Sequence, residues 1–255
     1  MPDALYARDE AVGVVTLNRP ERLNAMNGGL MAAFDAALRQ AIADPECAVI
    51  VITGAGRAFC AGDDLKDYDL QIADDKAIET HVAAIQRITR VMMGCDKPII
   101  GAIHGYAVGG GFEWLLNCEL VVAADDLVAF FPETELGQFV TGGVTYLLPL
   151  ALGYQRAMEL LLLGERKTAR ELLALGLVNR VVPRAEMLDV AFGIAKRIAK
   201  RSRWSIGRLK TLLNGELGSA LWQAVEAEQT ITADAFRNTD TAERVARFGT
   251  GRRGA

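Results

Sequence analysis

Short apolar runs alternate with helical patterns through the first half of the chain, and this alternation limits the possible folds more than any other feature. Segments 11–17 and 48–53 are rich in β-branched residues and predict strands. Asn27 can cap a helix in which apolar residues recur at helical spacing, and a second amphipathic helix is predicted over 75–93. The alternation predicts a mixed α/β fold.

From about residue 134 the pattern becomes mainly helical. Short helices punctuated by glycine and one last strand, in the segment LVNRVV, precede Pro183, and the chain beyond it is almost wholly helical. We expect a core in residues 1–182 and a helical C-terminal region in residues 183–255. The tail carries only two arginines, Arg252 and Arg253, and is predicted to be solvated.

Charge and cysteine content disfavour several classes of protein. The 255 residues carry a formal net charge of −4, whereas a nucleic-acid-binding domain normally has a basic face. No cysteine belongs to a CxxC pair, so a zinc site and a disulfide framework are not supported. The N-terminus has no signal-peptide pattern, and no apolar run approaches the roughly 20 residues that cross a bilayer. We expect no nucleic-acid partner, no membrane association and a reduced, cytoplasmic setting.

A glycine-rich strand end provides the first functional candidate. In segment 97–114 a predicted strand is followed by the triple glycine 109–111, at which a helix is predicted to begin. Glycine has no Cβ, so a ligand can approach the backbone closely, and the first N–H groups of a helix have no intrahelical acceptor. A second N–H from the loop after Gly62 would complete an oxyanion hole.

Two glutamates lie close to these features in the sequence. Glu113 follows Gly110 by three residues on the predicted helix, and Glu133 follows an apolar run and Pro132. Two carboxyl groups beside an oxyanion hole can share water activation and proton delivery. Each signal is weak alone, because a triple glycine is more often a tight turn and a helical glutamate is usually at the surface. Spacing along the chain does not bring these segments together.

Two other enzyme classes are disfavoured by their motifs. The chain has no GxSxG, so a serine hydrolase of that type is not supported. The segment GAGRAF lacks the third glycine of GxGxxG, which argues against a dinucleotide oxidoreductase. His81 lies in the amphipathic helix and is expected to be exposed, while His104 is expected to be a hydrogen-bonded loop residue.

Five runs in order along the chain resemble the crotonase (enoyl-CoA hydratase/isomerase) superfamily: NRPERLNAM, AFCAGDDL, KPIIGAIHGYAVGGGFEW, PETELG and GLVNRVVP. They cover roughly residues 5–185, and ordered motifs are more specific than one glycine cluster. The resemblance implies a spiral of ββα units followed by a helical C-terminal trimerisation region. It also implies an acyl-CoA thioester substrate, no cofactor apart from the CoA of the substrate, no metal, and a homotrimer or homohexamer.

The resemblance carries site roles onto particular positions. It assigns the oxyanion-hole donors to the backbone N–H groups of Asp63 and Gly110. The implied substrate- and CoA-binding residues are Asp63, Asp64, Leu65, Lys66, Gly110, Arg22 and Thr141. For Arg22 and Lys66, contact with CoA phosphates and a solvated surface role are both open.

The resemblance also assigns catalytic roles to Glu113 and Glu133. In hydratase-like members one glutamate activates water toward C3 and the other protonates C2, and the family pattern gives these tasks to Glu113 and Glu133 respectively. Isomerases commonly lack one of the pair, so their joint presence favours addition of water to 2-enoyl-CoA. Isomerisation, another enolate reaction and non-catalytic acyl-CoA binding remain alternatives.

Two positions depart from the family pattern. Hydratases often have glycine where this chain has Thr141, whose side chain would face the reacting region and affect the water pocket or the choice of acyl group. An ionised Asp63 side chain directed at a forming enolate would oppose it. We therefore expect that carboxylate to turn toward solvent or toward a cation such as Lys66.

Overall fold

The structure is a computed structural model that describes residues 1–216 and 218–251. The predicted solvated tail with Arg252 and Arg253 lies outside the described residues. All elements below belong to the described part of the chain.

The larger sheet has six strands in the order β1-β2-β3-β4-β6-β9, parallel except for the β1–β2 pair. Its strands are β1 (Ala4–Asp9), β2 (Val12–Leu17), β3 (Val49–Gly54), β4 (Ile99–Ile103), β6 (Leu120–Ala124) and β9 (Arg180–Val182). Every residue of β3 is buried, which explains why this central strand is a continuous apolar run and not an alternating one.

A smaller sheet of three strands lies beside it, in the order β5-β7-β8. Its strands are β5 (Tyr106–Val108), β7 (Val128–Phe130) and β8 (Lys167–Thr168). Consecutive pairs of strands enter both sheets: β4 and β6 pair in the larger sheet, while β5 and β7, which follow them, pair in the smaller one. A helix follows each two consecutive strands: α4 follows β4 and β5, and α5 follows β6 and β7. The chain therefore advances as a spiral of ββα turns. The predicted mixed α/β fold with ββα units is therefore present.

Twelve α-helices complete the described part of the chain. They are α1 (Gly28–Ala43), α2 (Tyr68–Gln71), α3 (Asp75–Gly94), α4 (Gly110–Leu116), α5 (Glu133–Leu136), α6 (Val144–Leu152), α7 (Tyr154–Leu163), α8 (Ala169–Leu175), α9 (Met187–Ala199), α10 (Arg203–Glu216), α11 (Gly218–Arg237) and α12 (Thr239–Gly251). The Asn27 side chain accepts a hydrogen bond from the N–H of Leu30 at 2.9 Å, so the predicted cap of α1 is present.

Helices cover both faces of the larger sheet. Ile50 and Ile52 of β3 pack in the same cluster as Leu30 and Phe34 of α1, whereas alternate β3 residues such as Val51 pack with α9. The two faces of this continuously apolar strand therefore pack in two different cores.

The C-terminal helices fold back onto the core. α11 packs against α3 and α6, and α12 packs against α5. This arrangement brings residues from the end of the chain to the ends of β5 and β7, where the candidate site lies. The boundary between residues 182 and 183 stays a prediction. None of the helices in the described residues is both long and apolar enough to cross a membrane.

Candidate active site

One cavity of about 790 Å³ collects every residue that the sequence nominated for the site. Its lining includes Arg22, Asp63, Asp64, Leu65, Lys66, Gly110, Glu113, Glu133 and Thr141. These residues come from the turn after β2, the loop after β3, helices α4 and α5, and the loop between α5 and α6. Helices α11 and α12 also contribute lining residues. The ββα spiral thus brings together segments that are far apart in sequence.

Glu113 lies on α4 and is 2% exposed. Its Oε1 accepts a hydrogen bond from the N–H of Thr141 at 2.7 Å, and its Oε2 accepts one from the Thr141 hydroxyl. A Cβ on Gly142, whose φ is +71°, would lie 2.7 Å from the Cβ of Glu113, so only glycine permits this approach. Burial raises the pKa of Glu113 from 4.5 to about 8, and both Thr141 donors oppose that rise because they stabilise the ionised carboxylate.

Glu133 is the first residue of α5 and is also buried. Its Oε1 lies against Gly109, where a Cβ would approach it to 2.5 Å, and φ at Gly109 is +52°. Its Oε2 is buried and has no hydrogen-bond partner among the described residues. Burial first and the charge of Glu113 second raise the pKa of Glu133 well above 4.5.

The two carboxyl groups differ in their hydrogen bonding. Glu113 receives two donors from Thr141, which favour its ionised form, whereas a buried oxygen of Glu133 receives none within the described residues. Each charge raises the cost of ionising a buried neighbour, so the pair favours a state with a single negative charge. The unequal donors favour ionisation of Glu113 first, as pH rises through its pKa of about 8, while Glu133 keeps its proton.

Two backbone N–H groups are directed away from the elements that flank them. Met26 forms a parallel bridge with Asp63, in which the Met26 N–H bonds Gly62 O at 2.8 Å and the Asp64 N–H bonds Met26 O at 2.9 Å. In such a bridge the N–H of Asp63 itself points to the opposite side. Gly110 is the first residue of α4, so its N–H has no intrahelical acceptor. Both residues line the cavity.

Asp63 was expected to turn toward solvent or toward a cation such as Lys66, and neither solvent nor Lys66 is its partner. Its Oδ1 lies 3.1 Å from Nε2 of His81, and the side chain of Asp63 is only 13% exposed. The expectation that His81 is exposed is wrong, because its side chain is 5% exposed. Its spacing contained the signal: three residues after Ile78 and four before Ile85, His81 falls on the buried face of α3.

Arg22 is held by Asp64. Its Nη2 donates to Oδ1 of Asp64 at 2.8 Å, and Arg19 Nη2 donates to the same carboxylate at 3.2 Å. Asp64 is 4% exposed, so the two guanidinium groups compensate a buried charge that fixes the loop beside Asp63. Lys66 lines the same cavity and is exposed, whereas Leu65 is half-buried and packs in a cluster with Phe236.

Several cavity residues were missed by sequence reasoning. Arg57 and Arg166 bring positive charge to the lining, and the Arg166 guanidinium lies 5.3 Å from the centre of the Phe130 ring. Phe236 of α11 and Phe248 of α12 bring apolar surface. Arg57 adjoins the glycine-rich loop and was detectable from its position, but no local pattern marks a C-terminal aromatic residue as part of a distant site.

His104 lies outside the cavity lining, and its Nε2 is 3.3 Å from the carbonyl oxygen of Gly56. No group of three or more His, Cys, Asp and Glu side chains within the described residues is arranged to hold a metal ion.

The two-sheet spiral of ββα units is a crotonase-type fold, and in it two buried carboxyl groups lie beside the glycine-rich N-terminus of a helix. Comparisons with known proteins agree. A family model described as enoyl-CoA hydratase/isomerase matches residues 7–253. A probable mitochondrial enoyl-CoA hydratase from Dictyostelium discoideum is 35% identical over 232 residues, covering 91% of this chain and 82% of that protein. A probable enoyl-CoA hydratase from Rhizobium meliloti (strain 1021) is 35% identical over 243 residues, covering 93% and 91%.

Solved structures show the same relationship. An enoyl-CoA hydratase/isomerase from Mycobacterium paratuberculosis superposes with a TM-score of 0.90 at 27% identity, covering 97% of this chain and 98% of that one. One from Pseudoalteromonas atlantica T6c has a TM-score of 0.88 at 29% identity, covering 98% and 97%. The chain belongs to the enoyl-CoA hydratase/isomerase family, and the predicted resemblance is confirmed.

Proposed function

We propose that the protein adds water across the double bond of 2-enoyl-CoA thioesters. The observation that carries this proposal is the pair of buried glutamates, Glu113 and Glu133, which share a cavity and differ in hydrogen bonding. Hydration requires one base and one acid at adjacent carbons, and two carboxyl groups that share one proton supply both. A protein that only binds a thioester has no need of two buried carboxyl groups beside it.

The proposed reaction uses the two groups in opposite protonation states. Ionised Glu113 accepts a proton from water as the water oxygen bonds to C3, and protonated Glu133 donates its proton to C2. The thioester oxygen carries the negative charge of the enolate between these events. The backbone N–H groups of Asp63 and Gly110 stabilise that oxygen, because they are fixed before the charge develops. Each turnover leaves Glu113 protonated and Glu133 ionised, and proton exchange with water restores the starting state.

The cavity lining contains groups suited to an anionic CoA group and groups suited to an acyl chain. Lys66, Arg57 and Arg166 are cationic lining residues suited to phosphate contacts. Arg22 can contribute its charge there while it remains paired with Asp64. Phe139 and Phe236 offer apolar surface for the acyl chain, with Thr141 beside the reacting carbons. The proposed reaction needs no cofactor other than the CoA of the substrate, and no metal.

We also propose assembly as a homotrimer or homohexamer through the helical C-terminal region, residues 183–255. Large apolar side chains are exposed on α10 of that region, at Trp204, Leu209, Leu212 and Leu213, and on the earlier helices α6 and α7, at Leu150, Tyr154, Leu162 and Leu163. Apolar surface of this extent typically marks a protein interface. All four cysteines lie within the described residues and are unpaired, which supports the proposed reduced, cytoplasmic setting.

The test of the function follows the loss of enoyl absorbance when crotonyl-CoA and longer 2-enoyl-CoA thioesters are supplied. We expect turnover by the wild-type protein. Glu133→Gln keeps the shape of the side chain and removes the transferable proton, so kcat is expected to fall by a factor on the order of 10³ while thioester binding is largely retained.

Exposed Glu135, on the same short helix, provides the matched control as Glu135→Gln, which we expect to retain wild-type turnover. Thioester binding without turnover at any chain length would refute the hydratase proposal. Unchanged activity in Glu133→Gln would remove Glu133 from the mechanism. Conversion of 3-enoyl-CoA in place of hydration would replace the proposed reaction with isomerisation.

A further inference from the structure

The proposed oxyanion hole contains an electrostatic conflict of its own. Asp63 offers a backbone N–H to the thioester oxygen, and its side chain carries a carboxylate on the same residue. Covalent geometry keeps that carboxylate within roughly 6 Å of an oxygen bound to the N–H. Two negative charges at such a distance in a partly buried site repel each other, so an unpaired carboxylate would weaken the enolate that the N–H stabilises.

His81 is placed to remove this conflict. Its Nε2 lies 3.1 Å from Oδ1 of Asp63, and the two side chains are only 5% and 13% exposed. An ionised carboxylate only accepts hydrogen bonds, so the contact requires a proton on Nε2, whether the imidazole is neutral or cationic. The donor therefore both holds the carboxylate in a fixed direction and offsets its charge.

The histidine ring also packs against an aromatic ring. The ring of Phe236, from α11, meets the His81 ring edge-on, with centroids 5.5 Å apart and planes at 86°. Phe236 is 4% exposed and lines the cavity. His81 thus contacts both the loop that carries Asp63 and helix α11. A ring restrained by packing against Phe236 loses little freedom when it binds the carboxylate.

We propose that His81 is a positioning residue for the oxyanion hole: it binds the Asp63 carboxylate through Nε2–H and turns it away from the thioester oxygen. This inference rests on the proposed role of the Asp63 N–H. His81 acts through Asp63 and does not touch the substrate. Its contribution is to the developing charge, so it affects kcat more than KM.

The experiment is a double-mutant cycle between His81→Phe and Asp63→Ala. His81→Phe removes the donor and keeps an aromatic ring against Phe236, while Asp63→Ala removes the carboxylate and keeps the backbone N–H. We expect His81→Phe to lower kcat for crotonyl-CoA hydration by about 10-fold or more, with KM within about twofold of wild type. In the Asp63→Ala background the same change is expected to have little effect, because no carboxylate remains to be offset.

A second measurement reports on the hole without turnover. Acetoacetyl-CoA ionises to an enolate with its own ultraviolet absorbance, and an oxyanion hole favours that form. We expect the bound enolate fraction to fall in His81→Phe and to be restored in the double variant. His81→Gln, which keeps a side-chain N–H donor, is expected to retain more of the signal, and Thr80→Ala on the exposed side of α3 is expected to match wild type.

The outcomes separate the two proposals. Wild-type kcat and enolate signal in His81→Phe would overturn the role of His81 and leave the hydratase proposal standing. An equal loss in the wild-type and Asp63→Ala backgrounds would show a purely structural histidine and would also overturn it. A His81-dependent enolate signal in a protein that hydrates no 2-enoyl-CoA would support His81 and refute the proposed reaction. If His81→Phe does not fold, the same comparisons are made with His81→Leu and His81→Leu/Asp63→Ala, which also lack the donor, with equal losses in both backgrounds again counting against the proposal.

Discussion

At the scale of single residues, the chemistry depends on which of two buried carboxyl groups holds a proton. The side chains of Glu113 and Glu133 are both buried, and burial raises the pKa of each. The difference between them comes from Thr141, whose backbone and hydroxyl donors both bind Glu113. A residue that departs from the family pattern therefore lies at the position that most directly sets the basicity of the proposed base.

Thr141→Val tests this difference. Valine keeps the shape and the backbone N–H but removes the hydroxyl donor, so the ionised form of Glu113 loses a hydrogen bond. Loss of a hydrogen bond to a charged group costs about 1.5–3 kcal/mol, which raises the pKa of Glu113 by roughly one unit or more. Glu113 acts as a base, so the rate rises with pH through its pKa, and the acidic limb of the kcat/KM profile is expected to move to higher pH.

Steady-state rates from pH 5 to 10 measure this shift. Thr141→Ser retains the hydroxyl and is expected to keep the acidic limb near its wild-type position. The alkaline limb reports loss of the Glu133 proton and is expected to move less in Thr141→Val. An acidic limb that stays in place in Thr141→Val would show that the hydroxyl does not control the base.

At the scale of elements, the loop that carries Thr141 is anchored by two helices from different parts of the chain. Oε1 of Gln86, on α3, accepts a hydrogen bond from the N–H of Gly142 at 3.2 Å. The carboxylate of Glu228, on α11, accepts from the N–H groups of Gly143 and Thr145, each at 2.8 Å. Gly143 precedes α6 and has no side chain to cap it, so Glu228 supplies the cap from a distant helix.

Glu228→Ala is therefore expected to affect both stability and catalysis. It leaves N–H groups at the start of α6 unpaired in a buried place, which costs about 3 kcal/mol of unfolding free energy. It also loosens the loop that holds Thr141 against Glu113, so kcat is expected to fall. Denaturant unfolding and the hydration assay measure the two effects. Glu226→Ala, an exposed position on the same helix, is the matched control and is expected to be nearly neutral.

A stable but inactive Glu228→Ala protein would indicate that Glu228 acts through its charge and not as a cap. A variant with wild-type stability and activity would show that the anchoring contacts are dispensable.

Local elements were predictable where a sequence pattern is long enough to be specific. The capped α1 and the amphipathic α3 agree with the apolar spacing, and the fully apolar β3 agrees with a buried central strand. β1 was missed because it is an edge strand with a single buried residue, Ala4. β5 was missed because three residues cannot show a period. Edge and short strands are defined by their partners and not by their own sequence.

The candidate site was also predictable only in part. The family resemblance predicted Glu113, Glu133 and the loop at Asp63, and all three line one cavity. The packing of α3 against α11 places His81 in contact with Asp63 and places Phe236 in the cavity lining. No local spacing in the sequence specifies how these two helices pack. The Asp63 carboxylate was expected to turn toward solvent or a cation such as Lys66, whereas its partner is His81, 18 residues away on α3.

At the scale of the whole molecule, the buried glutamates make the stability of the fold depend on pH. The pKa of Glu113 is raised from 4.5 to about 8 in the folded protein, so the folded state binds more protons than the unfolded chain between these values. Such a group destabilises the fold as pH rises: its penalty is absent below about pH 4.5 and develops as pH rises through about 8. Burial of the proposed base therefore costs stability at neutral pH and above.

Glu113→Gln removes this penalty. We expect the variant to gain stability relative to wild type as pH increases from 5 to 8, by on the order of 3 kcal/mol across the interval, because glutamine carries no proton equilibrium. Guanidinium unfolding at a fixed protein concentration measures the difference at each pH, since association would otherwise shift both curves. For Glu226→Gln, at an exposed position, the free energy of unfolding is expected to change with pH in parallel with that of wild type. A Glu113→Gln curve that also runs parallel would mean that Glu113 has the same pKa in the folded and unfolded states, and the proposed sharing of one proton with Glu133 would then fail.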